Sequence, residues 1–147
     1  MNRLVADASF CGAWILEDEA SAFAESILQS LEDSVAELVV PSLWQYEMLN
    51  LLKMAVRRRR LTQTVANDAL KTLQRVPISE LDVPDSHAME NILKLAFEHD
   101  LTAYDATYLE LAVRLKLPLY SLDTALKSAA ESCGLETSCQ KLFSSQS

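Results

Sequence analysis

Four acidic residues lie where carboxylates can do chemistry together: Asp7, Glu47, Asp105 and Asp123. Asp7 and Asp123 each close a short apolar run, which predicts that each lies at the end of a buried strand. Glu47 and Asp105 each fall early in a predicted helix. In open parallel α/β sheets, ligands gather at the carboxyl ends of the strands. The pattern therefore predicts one acidic cluster at that edge.

Such a cluster points to a cation. Four carboxylates at one edge repel one another and raise one another's pKa, so they need a positive charge to stay ionised together. An all-oxygen ligand set suits Mg²⁺ or Mn²⁺ and does not suit zinc. A site of this kind typically holds a phosphate and activates water for in-line displacement.

Three of the acids also have a structural interpretation, which the sequence leaves open. Asp7 and Asp123 each precede a predicted helix and can act as its N-cap. Asp105 completes the capping box Thr102-x-x-Asp105 and suits the helix dipole.

Glu47 is harder to explain by local rules. Ser42 and Gln45 fit a capping box, so the capping role in its helix is already taken. That helix, predicted to run to Arg60, is apolar almost all round and is expected to be buried on more than one side, in a core or against a partner. A carboxylate there must reach solvent, a partner or a cation. Asn50 lies one turn further on and shares the face of Glu47.

Apolar runs and helical periodicity alternate along the chain and define the elements that position these acids. Strands are predicted at about 2–6, 37–41, 76–81 and 119–122, with a short edge strand at 136–139. Helices are predicted at about 20–31, 42–60, 61–75, 84–98, 102–116 and 124–133, the last closed by Gly134. This alternation is typical of an α/β/α sandwich around a mostly parallel sheet, in one domain spanning residues 1–147.

Composition narrows the function classes. A net charge of −8 argues against a nucleic-acid coat protein but does not exclude a nucleic-acid enzyme, because a bound metal supplies positive charge locally. Two glycines cannot form a glycine-rich phosphate loop. The apolar run at the N-terminus is too short for a signal peptide, so a cytoplasmic location is expected. The three cysteines lack a C-x-x-C spacing, which disfavours zinc and disulfides.

Two further features have open interpretations. The run Arg57–Arg60 is either a solvated helix end that complements the dipole or a surface that contacts RNA or a partner. Trp14, Trp44 and Tyr46 are expected in the core or an interface rather than in a base-stacking platform.

Four segments together resemble the PIN-domain ribonucleases, specifically the toxins of VapBC-type toxin–antitoxin pairs. The segments are Val5-Ala-Asp-Ala-Ser9, Val40-Pro-Ser-Leu-Trp-Gln-Tyr-Glu-Met-Leu-Asn50, Leu101-Thr-Ala-Tyr-Asp-Ala-Thr-Tyr-Leu-Glu-Leu-Ala112 and Leu117-Pro-Leu-Tyr-Ser-Leu-Asp123. They follow the order and spacing of that family, and the match covers nearly the whole chain.

The resemblance implies a five-stranded parallel sheet and metal-dependent endonucleolytic cleavage of RNA. The four acids would hold Mg²⁺, with Mn²⁺ as a substitute, and a metal-activated water would attack the phosphodiester. Ser9 and Asn50 would support the acids or contact the substrate. The family's usual partner is a small antitoxin, and its toxins commonly form homodimers.

Other functions make different demands on the same positions. A haloacid-dehalogenase-type phosphotransferase needs a second aspartate where this chain has Ser9, and a receiver domain needs an adjacent acid pair beside Asp7. An RNA-processing nuclease without a toxin role and a catalytically idle partner-binding module both stay open.

Overall fold

The computed structural model describes residues 2–16 and 21–138. Its strands are β1 (Asn2–Ala6), β2 (Ala36–Pro41), β3 (Ile78–Asp82) and β4 (Leu119–Tyr120). Its helices are α1 (Ala8–Gly12), α2 (Ala22–Glu32), α3 (Leu43–Arg57), α4 (Gln63–Arg75), α5 (Ser86–His99), α6 (Ala103–Leu115) and α7 (Thr124–Ser132). None of the helices in these two ranges is long and apolar enough to cross a membrane.

The strands form one sheet in the order β3-β2-β1-β4, and every neighbouring pair is parallel. The central strands read as continuous apolar runs because helices cover both of their faces. Leu4 and Val5 of β1 and Leu38, Val39 and Val40 of β2 are all fully buried. The predicted parallel α/β fold is confirmed.

The helices form a layer on each face of the sheet. In one layer α3 packs on α1 and α4, and α2 packs on β2. In the other layer α6 packs on β1, β2, α5 and α7, and α7 also contacts β4. This arrangement follows from right-handed crossovers, because the chain moves from β1 to β3 in one direction and then returns to β4 on the other side.

The sheet of the described residues has four strands rather than the five that were expected. Residues 136–138 of the expected edge strand are irregular, and Cys139 lies outside the described residues. The Leu119 N–H donates to the Glu136 carbonyl at 2.9 Å, so this segment still runs beside β4. Because β4 has only two residues, its pairing with this segment does not extend into a longer ladder.

The predicted helix caps are mostly confirmed. Thr102 accepts a hydrogen bond from the Asp105 N–H at 3.1 Å, and Asp7 and Asp123 are the N-caps of α1 and α7. Gly134 follows α7 with a φ of 79°, the left-handed conformation expected after a helix. The capping box at Ser42 is wrong.

Ser42 has helical dihedral angles instead of the extended ones of an N-cap, and its side chain accepts no capping hydrogen bond. Its N–H donates to the Asp82 carbonyl at 3.0 Å and so is not available to Gln45. That bond ties the residue to the end of β3, so the chain enters α3 directly from β2.

Within this chain α3 is buried on one side only, so its expected burial on a second side would require a partner and stays a prediction. One face is buried, through Trp44, Met48, Leu52 and Ala55, whereas Tyr46 is 72% exposed. Of the predicted core or interface positions, Trp44 lies in the core, whereas Tyr46 lies outside the core and its place in an interface stays a prediction. An all-apolar helix still has an open face when its neighbours cover only one side of it.

Candidate active site

Strands β1 and β4 are neighbours, but the chain leaves β1 toward β2 and reaches β4 only at the end of its path. This is the topological switch point, the position beyond the carboxyl ends of the strands at which open α/β sheets bind their ligands. Asp7 directly follows β1, and Asp123 follows β4 after two residues. Two of the four acids are therefore brought to this point by the sheet itself.

Asp7 is buried and accepts three hydrogen bonds, two at Oδ1 and one at Oδ2. Its Oδ1 accepts from the Phe10 N–H at 3.0 Å and from the Ser9 hydroxyl at 2.7 Å. Its Oδ2 accepts from the Ser121 hydroxyl at 2.6 Å. Burial raises the pKa of Asp7, against the lowering effect of these three hydrogen bonds, and nearby Asp123 raises it further.

The two serines join β1 to the loop after β4. The Ser9 oxygen accepts from the Leu122 N–H at 3.0 Å, and the Ser121 oxygen accepts from the Asp123 N–H at 2.9 Å. Each hydroxyl thus donates to Asp7 and accepts from the backbone beside Asp123. These two serine bridges fix the spacing between Asp7 and Asp123.

Asp123 and Asp105 stand at the N-termini of two helices. The Asp123 Oδ1 accepts from the Ala125 and Leu126 N–H groups at 2.9 and 3.2 Å, which leaves Oδ2 outside the cap. Burial raises the pKa of Asp105, the charges of Asp123 and Asp7 raise it further, and the Thr102 hydroxyl lowers it.

Glu47 is brought to the same place from α3. It is half-buried, and its Oε1 accepts a hydrogen bond from the Tyr108 hydroxyl at 2.5 Å. Tyr108 is buried in α6, one turn beyond Asp105. Burial raises the pKa of Glu47, the Tyr108 bond lowers it, and the charges of Asp7 and Asp105 raise it again.

All four predicted acids therefore belong to one electrostatic group. Asp7 interacts with each of the other three, and Asp105 also interacts with Glu47 and with Asp123. Within residues 2–16 and 21–138, none of the four forms an ion pair with a lysine or arginine. Their mutual repulsion is therefore not offset by a cationic side chain.

The chemistry of this donor set fits a hard divalent cation, because every candidate ligand atom is a carboxylate oxygen. In the described part of the chain, however, no three acidic, histidine or cysteine side chains converge closely enough to form a ready metal-binding group. The site is an open group of acids, and the carboxylates would have to move closer together to hold an ion.

Comparison with known proteins identifies the fold family. The family model described as "PIN domain" matches residues 4–132. This chain belongs to the PIN-domain family. It is 33% identical over 128 residues to "Ribonuclease VapC3" of Pyrobaculum aerophilum, covering 84% of this chain and 92% of that protein. The crystal structure of PAE2754 from Pyrobaculum aerophilum matches with a TM-score of 0.65 and 25% identity, covering 89% of this chain and 92% of that one.

Two residues of this PIN domain's site were missed in the sequence, Ser121 and Tyr108. Ser121 directly follows buried β4, as Asp7 follows β1, so the same strand-end signal could have found it. Tyr108 lies three residues after Asp105 and so on the same side of α6. Ser9 was predicted and donates to Asp7 directly, whereas Asn50 is exposed and has no hydrogen bond to any of the four acids among the described residues.

Proposed function

We propose that this protein is a metal-dependent endoribonuclease and the toxin of a type II toxin–antitoxin pair. The observation that carries the proposal is the gathering of four acids at the β1/β4 switch point, where Asp7 lies near the other three and no cationic side chain of the described residues pairs with them. The similarity to a protein named ribonuclease VapC3 supports the substrate class.

Asp7, Glu47, Asp105 and Asp123 would hold the ion, with Mg²⁺ as the expected ion and Mn²⁺ as a substitute. When bound, such an ion supplies Lewis-acid charge for a phosphoryl oxygen and lowers the pKa of a coordinated water. Ion binding keeps the acids ionised, since it offsets the burial and repulsion that raise their pKa values.

The protein's own contribution is orientation. The hydroxyls of Ser9 and Ser121 fix both oxygens of Asp7 at the end of β1. The Tyr108 hydroxyl holds Oε1 of Glu47 and leaves Oε2 available. Each acid thus reaches the site from a different, rigid element, which limits the reorganisation needed when substrate binds.

The nuclease is tested with purified protein, a long single-stranded RNA and added Mg²⁺, with Glu47→Gln as the inactive variant and Glu32→Gln as the matched control. Glu32 is an exposed acid at the end of α2 and has no contact with the site. We expect parent and control to cleave internally and Glu47→Gln to be inactive. Calorimetry with Mn²⁺ should show binding to parent and control only. A parent protein that neither binds Mn²⁺ nor cuts RNA would falsify the proposal.

The toxin role needs a partner. We expect a small antitoxin that is encoded beside this protein, co-purifies with it and relieves the growth arrest caused by its expression. RNA cleavage without growth arrest or such a partner would favour a role in RNA processing. A partner complex without any RNA cleavage would favour an idle binding module.

A homodimer is expected, and α5 offers a surface for it. Met89, Leu93 and Phe97 form a row one turn apart and are 61%, 55% and 79% exposed. Glu90 and Lys94 flank this row, so two antiparallel copies of α5 can pair opposite charges beside the apolar contact. Leu93→Glu should give a monomer in light scattering, whereas a parent protein that is itself monomeric would exclude the dimer.

A further inference from the structure

The open face of α3 carries an aromatic residue, an amide and two cations in one line. Tyr46, Asn50, Lys53 and Arg57 are spaced by four, three and four residues, which places them on the same side of the helix. All four are exposed, and Tyr46 is exposed to 72%. The opposite side of α3 is buried, so this line is the solvent face of the helix. We refer to these four residues as the α3 track.

The α3 track is the basic region of an acidic protein. Between Glu47 and Asp68 the chain has no acidic residue but holds five of its 13 lysines and arginines. Lys53 and Arg57 form no ion pair within the part of the chain that the structure describes. Their charge is therefore available to an external anion, while the net charge of −8 repels polyanions elsewhere.

The α3 track begins at the acidic site. Tyr46 precedes Glu47, the acid held by Tyr108, and Arg57 lies about 16 Å further along the helix at 1.5 Å per residue. The order from the site outward is thus aromatic ring, amide, ammonium and guanidinium. Proteins that hold single-stranded nucleic acid combine such stacking rings with cations that follow the backbone.

We propose that the α3 track binds the single-stranded RNA that flanks the cleavage point. A base next to the scissile phosphate stacks on Tyr46, Asn50 offers its amide to the adjacent nucleotide, and Lys53 and Arg57 contact backbone phosphates further along. This proposal rests on the proposed ribonuclease function, and it accounts for how a strongly acidic protein retains a polyanionic substrate.

Binding is measured by fluorescence anisotropy with a labelled, mixed-sequence oligoribonucleotide of about twenty nucleotides, at a series of salt concentrations. All proteins carry Asp105→Asn so that the probe stays intact. Lys53→Gln/Arg57→Gln removes the two cations, and Lys71→Gln/Arg75→Gln is its charge-matched control on exposed residues of α4. Tyr46→Ala removes the ring, and Val65→Ala is its control at an exposed apolar residue of α4.

The two kinds of contact predict different results. Loss of two phosphate contacts should make the slope of log K against log salt shallower by about 1.4, at about 0.7 per contact for a single strand. Tyr46→Ala should weaken binding about tenfold at every salt concentration without changing the slope. Both controls should match the parent.

The proposal is overturned if the track variants bind RNA as their controls do. It is also overturned if the track variants keep RNA binding and lose only binding of the small partner protein, because α3 would then be a protein interface. Because this assay needs no cleavage, its outcome is separate from that of the nuclease test. If RNA binding shows the expected salt dependence but the protein with Asp105 intact cuts no RNA, the nuclease proposal is refuted and the RNA-binding role of the α3 track stands.

Discussion

The hydrogen bond between Tyr108 and Glu47 gives a prediction about pH. Tyr108→Phe removes the hydroxyl that donates to Oε1 of Glu47 at 2.5 Å, while the ring stays in its buried position. That bond lowers the pKa of Glu47, whereas burial and the charges of Asp7 and Asp105 raise it. With the bond gone, only the raising effects remain, so the pKa of Glu47 should rise.

The size of the change follows from the strength of the bond. A hydrogen bond to a charged group contributes about 1.5–3 kcal/mol, and water can replace part of it because Glu47 is only half-buried. A net loss near 1.4 kcal/mol corresponds to about one pKa unit. Since Glu47 must be ionised to hold a cation, the acidic limb of activity should move about one unit toward higher pH, and activity should recover above it.

The measurement is kcat/KM against pH for the parent, Tyr108→Phe and the control Tyr104→Phe, with Mn²⁺ affinity determined at two pH values. Tyr104 lies on the same helix and is 64% exposed, so its hydroxyl has no comparable role. A uniform loss of activity at all pH values, with an unmoved acidic limb, would mean that Tyr108 acts only through packing. An equal shift in the control would refute the reasoning too.

Three further outcomes concern stability and ion binding. Asp123→Asn keeps an amide oxygen for the helix cap, so urea unfolding should change by less than about 0.5 kcal/mol while Mn²⁺ binding is lost; a large destabilisation would contradict this separation. Arg114→Gln leaves the buried carboxylate of Glu110 without its ion-pair partner and should lower the free energy of unfolding by about 3 kcal/mol. Lys94→Gln, in an exposed ion pair, should lower it by less than about 0.5 kcal/mol, and equal losses in the two variants would contradict the prediction. Burial raises the pKa of Asp7, so the folded, metal-free protein holds this proton more tightly and loses stability as pH rises from about 4 through the folded pKa. Asp7→Asn should therefore gain stability relative to the parent as pH rises from about 4 through the folded pKa of Asp7, and a constant difference in denaturation would argue against it.

The order of strands and helices was predictable because each element carries its own periodicity and end signals. Asp7, Thr102 and Asp123 each cap a helix within three residues of their own position, so short sequence windows contain the whole interaction. The four acids could be grouped because parallel strands place their carboxyl ends at one edge.

The contacts that orient the acids could not be predicted in this way. Tyr108 and Glu47 are 61 residues apart, and Ser121 and Asp7 are 114 apart, so their pairing depends on strand order and crossovers. The Ser42 motif failed for a related reason, since a backbone bond to the end of β3 fixes its conformation. The open face of α3 also depends on how many neighbours the fold supplies.

Because Asp7 and Asp123 also form capping hydrogen bonds, a PIN domain can keep these two residues for a structural reason alone. A descendant that stopped cutting RNA would still benefit from both residues, because each satisfies N–H groups at a helix start that would otherwise lose a partner. Glu47 and Asp105 supply no carboxylate to any helix cap in the described part of the chain. On the proposed function, drift at Glu47 and Asp105 would therefore be the informative mark of lost catalysis, while persistence of Asp7 and Asp123 would report on folding.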